Sequence, residues 1–194
     1  RLTCGLLRAK NDYVFAQNDY DLGFCEIFHS IDAIIRTSKK GRRCMVYYTG
    51  DIHGNAKAIA AFAQYFELTE SDTIVILGDV GANYYGNRRD RYCKDVLAGI
   101  KPTVFCIHGN HERRPDTLAG YKQKEWNSGL VWYEDEYPNL LFARDGDIFT
   151  MEGTRHLVIG GAYSVDKYYR LENDLLWFAD EQPSAEIKTY VEDQ

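Results

Sequence analysis

The stretch Thr73-Ile74-Val75-Ile76-Leu77-Gly78-Asp79 begins as an apolar, β-branched run and ends in a glycine and a carboxylate. A short apolar run before a turn predicts a buried strand. The pattern recurs twice: Met45–Thr49 precedes Asp51-Ile52-His53-Gly54-Asn55, and Thr103–Ile107 precedes Gly109-Asn110-His111-Glu112. In open α/β sheets, ligands bind beyond the carboxyl ends of the strands. We therefore expect the three polar clusters to lie in one region.

The segments between these strands carry helical patterns. Residues 56–68 predict an amphipathic helix, whose apolar face consists of Ile59, Phe62, Ala63 and Phe66. Residues 88–97 predict a second, weaker helix. Helices that alternate with apolar strands indicate an α/β fold with a mainly parallel sheet.

The pattern of apolar residues changes after residue 139. Apolar runs at 140–143, 148–151 and 156–160 are separated by short turns, which predicts a strand meander. Ser184 is the expected N-cap of a last helix. On this interpretation the chain stops inside that helix, at Gln194.

The polar clusters have the chemistry of a metal site. Together they offer carboxylate oxygens, an amide oxygen and imidazole nitrogens, a set that suits Mn, Fe, Zn or Ni. Asp79, with two oxygens, is a natural bridge between two ions. Taken singly, Asp51 and Asp79 would be read as turn or helix-capping residues. As an ordered set they predict a dinuclear metal centre.

The order D-x-H, G-D, G-N-H-E after successive strands resembles the calcineurin-like metallophosphoesterases, over about residues 45 to 194. Residues 160–167 are also similar to a small bacterial and phage branch of that family. The resemblance implies an αββα sandwich, two divalent ions (Mn, Fe, Ni or Zn) and hydrolysis of phosphoesters. It also implies the metal ligands Asp51, His53, Asp79 (bridging) and Asn110.

The resemblance implies roles for the two residues that follow Asn110. His111 is the expected catalytic residue, which would stabilise the phosphoryl oxygens or protonate the leaving group. Its alternative role is a hydrogen bond that supports the metal ligands. Glu112 is expected to orient the local backbone and side chains.

Two motifs of that family have no counterpart in this chain. These are a lone histidine after a strand and a G-H-x-H motif, whereas the last histidine here is His156, an expected exposed strand residue. The interpretation is a domain over residues 45–194 that is truncated before both motifs. Two functions stay open: a metal-dependent phosphoesterase, or a truncated or inactive member that binds metal weakly and does not catalyse.

The residues that follow the second motif limit the class of substrate that we expect. By resemblance, protein serine/threonine phosphatases continue it as G-D-x-x-D-R-G, but Asp79 is followed here by Val80, Gly81, Ala82 and Asn83. We therefore expect a small phosphomonoester, a nucleotide or a phosphodiester rather than a phosphoprotein. The aromatic pairs Tyr84-Tyr85, Trp132-Tyr133 and Trp177-Phe178 either line a pocket or pack in the protein.

Charge and cysteine content limit the partners and the compartment. The net charge of −6 argues against general nucleic-acid binding and against an anionic membrane surface. The basic run at 88–94 either faces phosphate or, as the favoured interpretation, is the solvated face of a helix. Five cysteines without C-x-x-C spacing favour a reducing compartment, so a cytoplasmic location is expected. Oligomeric state is not predicted.

Residues 1–44 do not match the rest of the chain and are interpreted as an N-terminal extension of unclear status. Apolar residues at helical spacing within residues 24–35 predict an amphipathic helix or arise by chance. The basic segment at 38–43 precedes Met45, which opens the first strand of the predicted domain. Our hypothesis is that Met45 is the true start of translation.

Overall fold

The structure is a computed structural model, and it describes residues 13–15 and 44–193. A seven-stranded sheet runs through its centre in the order β1-β2-β3-β4-β7-β6-β5. Its strands are β1 (Tyr13–Phe15), β2 (Val46–Thr49), β3 (Thr73–Leu77), β4 (Thr103–Ile107), β5 (Lys122–Trp126), β6 (Gly129–Tyr133) and β7 (Leu140–Ala143). The first five strands in this order, β1, β2, β3, β4 and β7, are parallel to one another. Strand β6 is antiparallel to both β7 and β5. This confirms the predicted α/β class.

Side chains alternate between the two faces of the sheet, because successive strand residues point in opposite directions. In β3, Ile74 and Ile76 pack on one face, whereas Val75 lies on the other. The first face is covered by helices α1 (Ala56–Tyr65) and α2 (Arg88–Ala98). The second is covered by an antiparallel pair, β8 (Ile148–Met151) and β9 (Thr154–Leu157), whose Phe149 packs on Phe105. The described part of the chain thus has a helix layer, a sheet and a second, two-stranded sheet.

Local signals explain where the helices begin and end. Helix α1 ends at Tyr65, earlier than the predicted Leu68, because Glu67 adopts a left-handed conformation (φ 51°) and the Leu68 N–H donates to the Ala63 carbonyl. Asn87 caps α2 by accepting a hydrogen bond from the Arg89 N–H. The short helix α3 spans Lys167–Glu172. A single turn of 3₁₀ helix, Pro115–Thr117, follows the third polar cluster.

The last helix, α4, spans Ala185–Glu192, and the predicted cap is confirmed because the Ser184 hydroxyl accepts from the Ile187 N–H. The helix is described up to Glu192 and Gln194 lies outside the described residues, so the expectation that the chain stops inside this helix stays a prediction. Strand β9 is also shifted from the predicted 156–160, because residues 158–160 leave the ladder to bond loop residues.

Part of residues 1–44 belongs to the sheet, since β1 pairs along the outer edge of β2. The predicted amphipathic helix at 24–35 lies outside the described residues. Three expectations stay predictions: that residues 1–44 are an extension, that the domain over 45–194 is truncated, and that translation starts at Met45. Among the described residues, no helix has the length and apolar character needed to cross a bilayer.

Candidate metal centre

Two loops that follow β2 and β3 are joined backbone to backbone. The His53 N–H donates to the Asp79 carbonyl (2.8 Å), and the Gly54 N–H donates to the Val80 carbonyl (2.9 Å). His53 and Asp79 both have φ of 43°, a left-handed conformation that costs free energy in residues with a side chain. Strained backbone of this kind concentrates at functional sites.

Glycines allow the loops to approach this closely. A Cβ on Gly81 would lie 2.4 Å from the Gly54 nitrogen, and one on Gly109 would lie 2.0 Å from Asp79 Oδ1. Any side chain at either position would separate the segments. The third polar cluster is therefore held against the second as tightly as the second is held against the first.

Three of the predicted site residues bring their donor atoms together. One ligand atom each from His53, Asp79 and His111 lies within 4.8 Å of the other two. Asp79 Oδ2 is 3.2 Å from His111 Nδ1 and 3.9 Å from His53 Nε2, and Asp79 Oδ1 accepts a hydrogen bond from the His111 N–H (2.9 Å). The buried carboxylate thus lies between two imidazoles.

Asp51 is not a member of this close group, and Asn110 has a hydrogen-bond partner of its own. The pKa of Asp51 is raised, first by burial and then by the negative charge of Asp79, so the two carboxylates repel each other. Asn110 Nδ2 donates to Ser164 Oγ at 2.9 Å. That bond fixes the amide and leaves its oxygen available.

His111 has a further neighbour that sequence reasoning missed. Its Nε2 atom is buried, has no hydrogen-bond partner among the described residues, and lies 3.8 Å from Asp166 Oδ1. Asp166 accepts a hydrogen bond from Arg170 Nε (2.7 Å). Asp166 is inside the family-like stretch at 160–167, which was the only signal in the sequence that pointed to it.

Glu112 holds the backbone at Gly109, which agrees with its expected role in orienting the local backbone. It is 1% exposed, and its Oε1 accepts a hydrogen bond from the Gly109 N–H at 2.9 Å. Burial is the main cause that raises its pKa to about 7. Glu112 therefore anchors the turn that Gly109 makes against Asp79.

The other histidines near the sheet are packing residues. His108 is buried at the end of β4, and burial together with the charge of Arg114 lowers its pKa to about 3. Its carbonyl accepts from the Gly161 N–H. His156 lies in β9 and contacts the Tyr48 hydroxyl (2.6 Å), outside the group of close donors.

A cavity of about 690 Å³ adjoins the donor group, with His53 and His111 in its wall. Its other lining side chains are Tyr84, Tyr85, Arg88, Arg89, Tyr92 and Arg170. Arg88 and Arg89 are exposed at the start of α2, as the favoured interpretation of the basic run expects, and they also line this cavity. Of the aromatic pairs, Tyr84-Tyr85 lines it.

Comparison with known proteins identifies the family. The family model described as calcineurin-like phosphoesterase matches residues 45–191, and the chain belongs to that family. The family is one of hydrolases and implies metal-dependent cleavage of phosphoesters. Neither a curated protein nor a solved structure matches the chain.

Proposed function

We propose that the protein hydrolyses a small phosphomonoester or phosphodiester at a dinuclear metal centre. In this proposal Asp51 and His53 bind one ion, Asp79 bridges both, Asn110 binds the second, and His111 acts on the substrate. The observation that carries it is the convergence of His53, Asp79 and His111 at the strand ends of a family member. The proposed ligands offer carboxylate oxygens, an amide oxygen and one imidazole nitrogen, a set that suits Mn, Fe, Ni or Zn.

One feature of the structure fits bound cations and another fits a bound phosphoester. The repulsion between Asp51 and Asp79 would be relieved by positive charge between them. His111 Nε2 is a buried polar atom with no hydrogen-bond partner among the described residues, and a phosphoryl oxygen would supply one. When bound, paired divalent ions activate the attacking water and stabilise the phosphoryl charge.

The chain's own residues would orient the groups at the site and supply a proton to the substrate. The hydrogen bond from the His111 N–H to Asp79 fixes the histidine backbone, so that the imidazole faces the cavity. His111 Nε2 lies 3.8 Å from Asp166 Oδ1 and faces the cavity, where an imidazole N–H can donate to a phosphoryl oxygen or a leaving group. Ser164 holds the Asn110 amide so that its oxygen, not its nitrogen, is presented.

The small-substrate proposal is supported by the residues after Asp79. Ala82 and Asn83, which stand where the phosphoprotein phosphatases carry their Asp and Arg, are both buried, so this loop packs into the core. We also propose a cytoplasmic location, which the free thiols of Cys44, Cys93 and Cys106 support.

One observation favours the non-catalytic alternative. Among the described residues, the close donor group has three members, and Asp51 is not one of them. Three protein donors could hold a single ion without providing the second. Metal stoichiometry therefore separates the two functions.

The test combines calorimetry with Mn²⁺ and turnover of p-nitrophenyl phosphate and its bis ester. We expect Mn²⁺-dependent hydrolysis that Asp79→Asn nearly abolishes together with metal binding. His111→Ala should keep the bound metal and lower kcat. Equal loss of metal in both variants would show that these roles are assigned wrongly. One bound ion without turnover would establish the non-catalytic alternative.

A further inference from the structure

The cavity beside the donor group has a cationic wall in an acidic protein. Arg88 and Arg89 line it and form no ion pair or side-chain hydrogen bond among the described residues, although the chain carries a net charge of −6. Most arginines near acidic groups are neutralised by them, as Arg170 is by Asp166 (2.7 Å). Two unneutralised guanidinium groups at one wall are suited to an anion.

Arg89 is held in place without using its donors. Its guanidinium lies over the Tyr85 ring, 4.8 Å from the centroid. A stacked guanidinium keeps its N–H groups in its own plane, where they can form two parallel bonds to a phosphate. Because the ring limits the motion of the side chain, less conformational entropy is lost when an anion binds.

A buried carboxylate holds the loop that carries Tyr85 through backbone hydrogen bonds. The buried Asp90 carboxylate accepts hydrogen bonds from the Tyr85 N–H (3.0 Å) and the Gly86 N–H (2.6 Å). Its negative charge is thus directed into the loop rather than into the cavity. On the other side, Arg170 Nη1 donates to the Tyr84 hydroxyl (3.2 Å), which fastens the neighbouring residue.

The cavity also offers aromatic surface and enough room. Tyr85 and Tyr92 are 43% and 48% exposed, and Lys57 Nζ lies 5.9 Å from the Tyr92 ring. Its volume of about 690 Å³ is in the range that encloses a small organic ligand, about 300–1,000 Å³. The arginine N–H groups can bind an anion, the exposed tyrosine rings can contact a base, and the cavity has room for both. These features fit a nucleotide better than an aliphatic phosphoester.

We propose that the substrate is a nucleotide with a second phosphate, which Arg88 and Arg89 bind while the base contacts Tyr85 or Tyr92. This rests on the proposed function for the scissile phosphate. In this proposal the two arginines at the start of α2 determine the specificity for such nucleotides over nucleoside monophosphates. Water would attack the phosphorus of the scissile phosphate, the bond from that phosphorus to the leaving oxygen would break, and the leaving oxygen would take up a proton. The second phosphate would stay on the arginines until its product leaves.

The test is binding of adenosine 5′-(α,β-methylene)diphosphate to the full chain by calorimetry, with Mn²⁺ and again with EDTA. Adenosine monophosphate and methylenediphosphonate are the comparison ligands. We expect the diphosphate to bind more tightly than either, and Arg88→Ala and Arg89→Ala each to raise its Kd about tenfold. Tyr85→Ala should weaken binding, and Tyr85→Phe should restore it.

The matched control is Arg91→Ala, since Arg91 is exposed on the same helix and does not line the cavity. It should leave the Kd unchanged. Equal weakening by Arg91→Ala, or equal affinity for the monophosphate, would overturn the proposal. If p-nitrophenyl phosphate is turned over but the analogue does not bind, this inference fails alone. If the arginine-dependent binding persists in EDTA and no phosphoester is cleaved, only the proposed function fails.

Discussion

Replacing Gly109 by alanine should destabilise the protein and disorganise the candidate metal centre. The added Cβ would lie 2.0 Å from Asp79 Oδ1, 2.1 Å from the Asp79 nitrogen and 2.8 Å from its Cα. Carbon atoms pack at about 3.5 Å, so the Asp79 backbone would have to move by about 1.5 Å. Two of these contacts are with backbone atoms of Asp79, so rotation of its side chain alone cannot relieve them, and the hydrogen bond from the His53 N–H opposes movement of that backbone.

The expected cost is at the upper end of overpacking, about 3 kcal/mol in the free energy of unfolding. For a chain of this size that corresponds to a fall in Tm of about 6–12 °C in thermal unfolding. Gly50→Ala is the matched control: Gly50 follows β2 as Gly109 follows β4, yet a Cβ there has nothing within 4 Å. If Gly109→Ala unfolds within a degree of Gly50→Ala, the argument from close approach is refuted.

Three further outcomes test other parts of the structure. Ser164→Ala should weaken Mn²⁺ binding about tenfold in calorimetry, because the Asn110 amide loses the partner that orients it; unchanged affinity would exclude Asn110 as a ligand. His108, neutral in the fold with a pKa of about 3 against 6.5 when exposed, binds fewer protons folded than unfolded between those values. Stability should therefore fall as pH drops through that window, by about 1.4 kcal/mol per pH unit, and urea titrations of His108→Gln should lack this slope. Arg114→Ala should cost about 3–5 kcal/mol, because it leaves the largely buried Asp145 carboxylate, 2.5 Å from Arg114 Nη1, unpaired; a loss below 1 kcal/mol in the same titration would contradict that estimate.

The strands that carry the site could be predicted because their sequence signal is local. Thr73–Leu77 and Thr103–Ile107 are apolar on both faces, as expected for parallel strands covered on both sides, and their bounds are confirmed. Strand β5 escaped prediction because Lys122–Trp126 lies at the sheet edge with mostly polar residues. Its pairing depends on β6, which no local pattern in β5 reveals.

The candidate site was predictable as a set of residues but not as a geometry. Order and spacing pointed to His53, Asp79 and His111, yet nothing in the sequence showed that Asp166 would come within 3.8 Å of His111. That approach depends on Arg170, which binds Asp166 from within α3. Likewise, the turn at Asn87 decides that Arg88 and Arg89 face the cavity, whereas a helical wheel treats them as ordinary surface residues.

The backbone bonds between the His53–Gly54 and Asp79–Val80 loops have a consequence for how such a centre can change during evolution. Both hydrogen bonds use main-chain atoms alone, so replacing the His53 side chain leaves the contact between the loops intact. The loops form one scaffold that does not depend on the side chain at position 53. A single substitution at that position can therefore change the donor it offers, whereas the glycines that permit the contact tolerate no such drift.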